Sequence, residues 1–169
     1  RVLFRSDGKA TFSFKAGKNS AQMTVTLGSS AKPGLVIKDG AIDSFLATVD
    51  GKFDILKLSA EAKGLSVGYD KAKAEFVIYG AVVLSTQAQG GVQVLKNLEV
   101  SLGNEKTPGI VIEGGSLKRL NFKINGEVNL FKITATPEDL EVSYDATESE
   151  LKITGKLTVT LAPKLTLTR

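Results

Sequence analysis

Apolar and polar residues alternate with a period of two along most of the chain. Leu151, Ile153, Leu157, Val159 and Leu161 alternate with Lys152, Thr154, Lys156, Thr158 and Thr160, and Gly155 stands within the apolar series. A period of two sends successive side chains to opposite faces of a strand, so this stretch reads as one long half-buried strand. Phe76, Ile78, Val82 and Leu84, around Gly80, predict another. Leu120, Phe122 and Ile124 alternate with Asn121 and Lys123, and Asn125-Gly126 then offers turn chemistry. Phe45, Ala47 and Val49 followed by Asp50-Gly51 repeat that phrase. Further strands are expected at residues 92–102, 110–112, 128–133 and 140–144. No window sustains a period of 3.6, and Ala60-Glu61-Ala62-Lys63 is helix-friendly for a turn only. Alternation joined by short turns favours an antiparallel sheet buried on one face. The expected fold class is therefore all-β, with a β-solenoid as the alternative that fits the same alternation.

The pattern repeats. Pro33-Gly34-Leu35-Val36-Ile37 returns as Pro108-Gly109-Ile110-Val111-Ile112, an offset of 108 − 33 = 75. At that offset residues 23–85 align with 98–160 without a gap, and 18 of the 63 pairs are identical. Identities at Gly28/Gly103, Gly51/Gly126, Tyr69/Tyr144, Asp70/Asp145 and Gly80/Gly155 fall on residue types that fix backbone shape. This points to tandem duplication, with copies at residues 22–96 and 97–169 preceded by the tail of another at 1–21. In that tail Phe12 and Phe14 are placed opposite Phe76 and Ile78, and Leu165-Thr166-Leu167-Thr168 is read as leading into a further copy. With no initiator Met, the chain is read as a window cut from an array. Such units bury apolar faces against their neighbours and build elongated bodies. The copies are expected to stack end to end around a shared apolar interior. Its expected positions are Val25, Leu27, Leu35, Ile37, Phe45, Val49, Ile55, Leu65, Val67, Phe76, Ile78 and their partners 75 residues on. Gly80 and Gly155 are expected bend points, Gly51 and Gly126 turn residues, and Pro-Gly at 33–34 and 108–109 the end of a loop.

Composition narrows the functional classes. With 42% apolar and 24% charged residues, the chain suits a globular fold, and no apolar run reaches the ~18–20 residues of a membrane helix. The absence of Cys removes disulfides and thiolate chemistry. The absence of His removes the commonest general base and metal ligand, and no Ser-His triad can be built. The net charge of +4 is spread out, with its densest basic spots at Lys71/Lys73 and Lys118/Arg119, so a nucleic-acid partner is not expected. The expectation is a non-enzyme without a catalytic residue or cofactor.

What remains is calcium. Asp50, Asp54, Asp70 and Asp145 are the candidate ligands, since calcium takes clustered oxygen donors. Their structural reading is turn chemistry, and copy two has Asn125 and Asn129 in place of Asp50 and Asp54. The acidic run Glu138, Asp139, Glu141, Asp145, Glu148 and Glu150 is read as a solvated face, because only Asp145 and Glu150 have acidic counterparts in copy one.

The phrases Pro33-Gly34-Leu35-Val36-Ile37-Lys38-Asp39-Gly40 and Leu65-Ser66-Val67-Gly68-Tyr69-Asp70, with their second copies, resemble the tandem β-repeats of very large secreted or surface proteins of bacteria. That resemblance implies a non-enzymatic module of an extracellular fibre, stalk or adhesin, self-assembling into filaments by strand or end-to-end association. Ile124-Asn125-Gly126-Glu127-Val128-Asn129-Leu130 and Ile153-Thr154-Gly155-Lys156-Leu157 also resemble AsmA/TamB-type proteins. That second resemblance implies a periplasmic lipid-handling β-groove. A third reading is a surface module that binds glycans through Tyr69, Tyr79, Tyr144 and Phe131. In a fibre module the apolar faces should close on each other, whereas a lipid conduit should leave them open.

Overall fold

A computed structural model describes residues 3–6, 8–17, 19–29, 31–55, 57–87, 93–130 and 132–161. They contain no helix and twelve strands: β1 (Leu3–Ser6), β2 (Gly8–Ala16), β3 (Asn19–Leu27), β4 (Leu35–Lys38), β5 (Ala41–Ile55), β6 (Leu58–Asp70), β7 (Glu75–Thr86), β8 (Leu95–Ser101), β9 (Ile110–Glu113), β10 (Ser116–Leu130), β11 (Ile133–Asp145) and β12 (Glu150–Leu161). All twelve belong to one sheet, and the protein is all-β as the alternation predicts. Every strand pair is antiparallel, unlike the parallel coils of a solenoid.

Strands β3 and β4 behave as one interrupted strand along β5. Leu27 pairs with Ala47 and Leu35 with Phe45. Between them Gly28 N donates to Leu46 O at 2.8 Å and Leu46 N donates to Gly34 O at 2.9 Å. The loop 29–33 thus leaves the strand and returns at the same point. Glycine permits this, because a Cβ on Gly28 would lie 2.5 Å from Gly34 N. The second Pro-Gly loop does the same between β8 and β9, where Asn121 N donates to Gly109 O. Ser29 and Asn104, at equivalent positions, each accept two backbone N–H groups from inside their own loop. The molecule is therefore a meander in which the copies lie side by side in one sheet, not end to end.

The register also relocates the N-terminal match. Phe4 pairs with Ile37 as Phe76 pairs with Ile112, and Lys9 pairs with Thr26 as Ala81 pairs with Ser101. Phe4, rather than Phe12, holds the Phe76 position, and Gly8 holds that of Gly80. The segment expected at Leu165-Thr166-Leu167-Thr168 lies outside the described residues.

The strand glycines form a line of bends. Gly80 (φ 113°) and Gly155 (φ 110°) lie opposite bulges in β6 and β11, as expected of bend points. Gly51 and Gly126 do not make turns. They sit inside β5 and β10 with φ of 140° and 130°. The chain reverses later, where Ile55 pairs with Leu58 and Leu130 with Ile133. A Cβ on Gly51 would lie 2.2 Å from Gln22 O and one on Gly126 2.5 Å from Asn97 O, so a glycine lets the neighbouring backbone pass.

The expected interior does not form among the described residues. Among the described residues only Val36 and Val111 are buried large apolar side chains, and both lie on the opposite face from the expected core. Most of the expected core positions are half-buried, while Phe76, Leu130, Leu151 and Ile153 are exposed. The reason is topological: every described strand is spent in one layer, so none is left to cover it.

Candidate functional site

Residues directly opposite each other in a sheet share a face, so the register sorts side chains without ambiguity. Leu27, Ala47, Val67, Ile78, Ile110, Leu120, Tyr144 and Leu151 follow one another across eight strands. A neighbouring row runs Met23, Gly51, Ala62, Val82, Val100, Ile124 and Leu140. At ~4.8 Å per strand the longer row spans about 34 Å. The bulges keep both rows apolar. In β6 the sequence shifts parity between Lys63 and Ser66, so Ala60 and Ala62 share a face with Val67 and Tyr69.

This face is open. The exposed large apolar side chains among the described residues all lie on it, apart from Val94. Leu130, Leu151, Ile153 and Leu161 are between 58% and 64% exposed. Phe45, Tyr69 and Phe76 cluster at one end, with the Tyr69 and Phe76 ring centroids 4.7 Å apart. Tyr69 and Tyr144 contribute hydroxyls to a mostly hydrocarbon surface, with Thr86 and Asn19 near its margins. The reverse face is mostly polar, as in the row Ser101, Lys123, Glu141 and Thr154.

The candidate calcium ligands do not come together. Asp50 accepts the Gly64 N–H at 2.7 Å across the β5–β6 bulge. Asn125 plays the same part in copy two, accepting the N–H of Asp139 at 2.8 Å. Gly64 and Asp139 both have positive φ, so the side-chain oxygen steadies the bulge residue. Asp54 accepts the Ser20 hydroxyl at 3.3 Å. Asp70 and Asp145 end their strands and accept the N–H two residues on, from Ala72 at 3.0 Å and Thr147 at 2.9 Å. These are Asx turns, the structural reading of the repeated Tyr-Asp pairs. Among the described residues no three His, Cys, Asp or Glu side chains gather where a metal could sit. The acidic run is largely engaged by neighbours: Glu138 with Lys156, Glu141 with Asn121, and Glu148 and Glu150 with Lys152.

The Thr147 hydroxyl, its backbone N–H and then the charges of Arg119 and Lys118 hold the Asp145 carboxyl below its ordinary value. Glu148 holds the Lys152 ammonium above its own. A depressed carboxyl stabilises the fold above the ordinary aspartate range, and that contribution disappears as pH falls through the lowered value. Thr147→Val is expected to move the Asp145 titration upward, a shift that NMR of the carboxyl carbons reads directly.

Tyr69, Tyr79 and Tyr144 are half-buried; Tyr69 and Tyr144 stand on the apolar face and Tyr79 on the reverse face. Phe131 lies outside the described residues. No helix among the described residues is long and apolar enough to cross a membrane. Comparison with protein-family models, curated proteins and solved structures finds no match.

Proposed function

We propose that this chain is a lipid-handling β-sheet module that holds acyl chains against its apolar face. The observation that carries this reading is the pair of apolar rows crossing the sheet, left uncovered by any described strand. Covering such a face is favourable by ~25 cal/mol for each Å² removed from water, whatever the apolar partner. The chemistry of the face selects the partner. It is poor in hydrogen-bonding groups, so a sugar would lose its bonds to water there without replacement. Hydrocarbon has no bonds to lose. A row of about 34 Å also exceeds the ~15 Å that one leaflet contributes to a bilayer core, so an extended chain fits along it. The proposal follows the AsmA/TamB resemblance and goes with a periplasmic location.

The test is titration with cis-parinaric acid, whose fluorescence rises on transfer from water. Saturable binding by a monomeric chain, competed by oleate, is the expected result. Failure to bind, with sedimentation as a dimer, would show that a second copy closes the face instead. The fibre reading draws on a different observation: β12 and the β1–β2 strand each have one unpaired edge among the described residues. Such edges can add strands from another chain, and regular filaments in electron micrographs would favour that reading.

A further inference from the structure

We propose that the reverse face carries a separate site for a small amphiphilic anion, one with an apolar body and a single carboxylate or phosphate. It lies where copy one meets copy two. A cavity of about 430 Å³ opens there, within the ordinary range of small-molecule sites. Its floor is one cross-strand row: Leu46, Gly68, Val77 and Val111, from β5, β6, β7 and β9. Gly68 is buried beneath its neighbours: a Cβ there would lie 3.1 Å from Val77 Cγ2 and 3.7 Å from Leu46 Cδ1, so these two side chains close over the glycine and form the floor surface. Pro33 and Pro108, from the two pinched loops, line the same space.

The rim is cationic. Five Lys or Arg residues and three carboxylates line the cavity, an excess of two positive charges. Glu105 is engaged by Lys32 at 3.1 Å, and Lys118 by Glu113 at 3.1 Å. No ion pair within 4 Å involves Lys73, Lys106 or Arg119 among the described residues. Arg119 continues the floor row directly beside Val111. A ligand lying along that row would set its body over Leu46 and Val77 and its head group at Arg119, whose planar fork suits carboxylate and phosphate alike.

Comparison of the copies argues that this hollow is more than loop packing. The positions of Leu46, Gly68, Val77 and Tyr79 hold Asn121, Ser143, Lys152 and Thr154 in copy two, as a water-facing side should. There Asn121 is tied to Glu141 at 2.6 Å. Arg119 in turn replaces Ser44. The apolar floor and the cation facing it occur together, at one junction and on the face where apolar residues have no sheet-building role.

The experiment is a calorimetric titration of the whole chain with phenyl phosphate, using inorganic phosphate and phenol as half-ligands. Phenyl phosphate is expected to bind at least tenfold more tightly than either half. Gly68→Val, which crowds Val77 and Leu46 and pushes these floor side chains up into the cavity, and Arg119→Gln, which removes the head-group contact, should each weaken it tenfold or more. Both variants are expected to keep the sheet signal in circular dichroism, since copy two already carries a side chain at the Gly68 position and Arg119 lies at the rim. Leu157→Asp, on the other face, should leave the affinity unchanged, which separates this site from acyl binding. Benzoate in place of phenyl phosphate distinguishes a carboxylate from a phosphate as the preferred head group. The proposal is overturned if neither phenyl phosphate nor benzoate binds, if inorganic phosphate binds as tightly as phenyl phosphate, if Gly68→Val and Arg119→Gln have no effect, or if Leu157→Asp abolishes binding.

Discussion

Gly80→Val is expected to lower the thermal midpoint by roughly 10 °C, while Gly8→Val leaves it nearly unchanged. The two glycines hold the same place in the repeat, since Lys9 pairs with Thr26 as Ala81 pairs with Ser101. Their surroundings differ. A Cβ on Gly80 would lie 2.2 Å from Gly64 O and 2.7 Å from Leu65 Cα, at a φ of 113° that L side chains rarely adopt. Backbone at the β6 bulge would have to move, because a carbonyl cannot rotate away as a side-chain tip can. Backbone strain and overpacking together amount to about 4 kcal/mol, a large part of a domain's margin. A Cβ on Gly8 meets nothing within 4 Å, because no strand lies beyond β1 and β2 among the described residues. Melting curves of both variants check the account. Equal losses would show that the penalty belongs to glycine itself and not to the neighbouring bulge.

That pair of glycines also shows where reading the sequence succeeds and where it stops. Alternation identifies long strands such as Glu150–Leu161 and Glu75–Thr86, because the period of two is a local property. A glycine inside the pattern signals a bend, and Gly80 and Gly155 are bends. Asn125-Gly126 misleads because one dipeptide serves two geometries. It suits a hairpin turn, and it equally suits a positive-φ glycine beside a bulge while the preceding Asn clasps the bulge residue. Only the partner strand separates them, and that partner lies some residues away in the chain: Asn97 and Leu98 for Gly126, Asp139 for Asn125.

The missing core has a related cause. Alternation states which side chains share a face, and it places Leu27, Val67, Ile78 and Leu120 together correctly. It carries no term for what lies above that face. A sandwich, a solenoid and a single open layer all write the same pattern. The cavity on the reverse face was half visible: Lys71/Lys73 and Lys118/Arg119 stand out as basic spots, and the structure brings Lys73, Lys118 and Arg119 to one cavity. Nothing local connects segments so far apart. A signal was nevertheless present in the alignment of the copies, where Leu46, Val77 and Tyr79 face Asn121, Lys152 and Thr154.

Ile153→Asp combined with Leu157→Asp is expected to weaken acyl binding about 30-fold while leaving the sheet intact. Both residues stand on the apolar face of β12, 64% and 53% exposed, with Gly155 between them. Full burial of such a side chain stabilises by ~1.5–3 kcal/mol, so covering the exposed half of two amounts to about 2 kcal/mol, equivalent to ~30-fold in affinity. Folding has less at stake, because the side chains already stand mostly in water. The control is Thr154→Asp with Thr158→Asp, which places the same two charges on the same strand but on the opposite face. Parinaric acid titrations of both pairs should diverge, with the threonine pair close to the parent chain. Charge at an edge strand would weaken an acyl anion by simple repulsion from either side of a single sheet. If the threonine pair loses as much as the Ile153–Leu157 pair, repulsion explains the result and the apolar face is not where the chain is held. If only the face-directed pair loses, the contact is made by the uncovered rows that the bulges keep in phase from strand to strand.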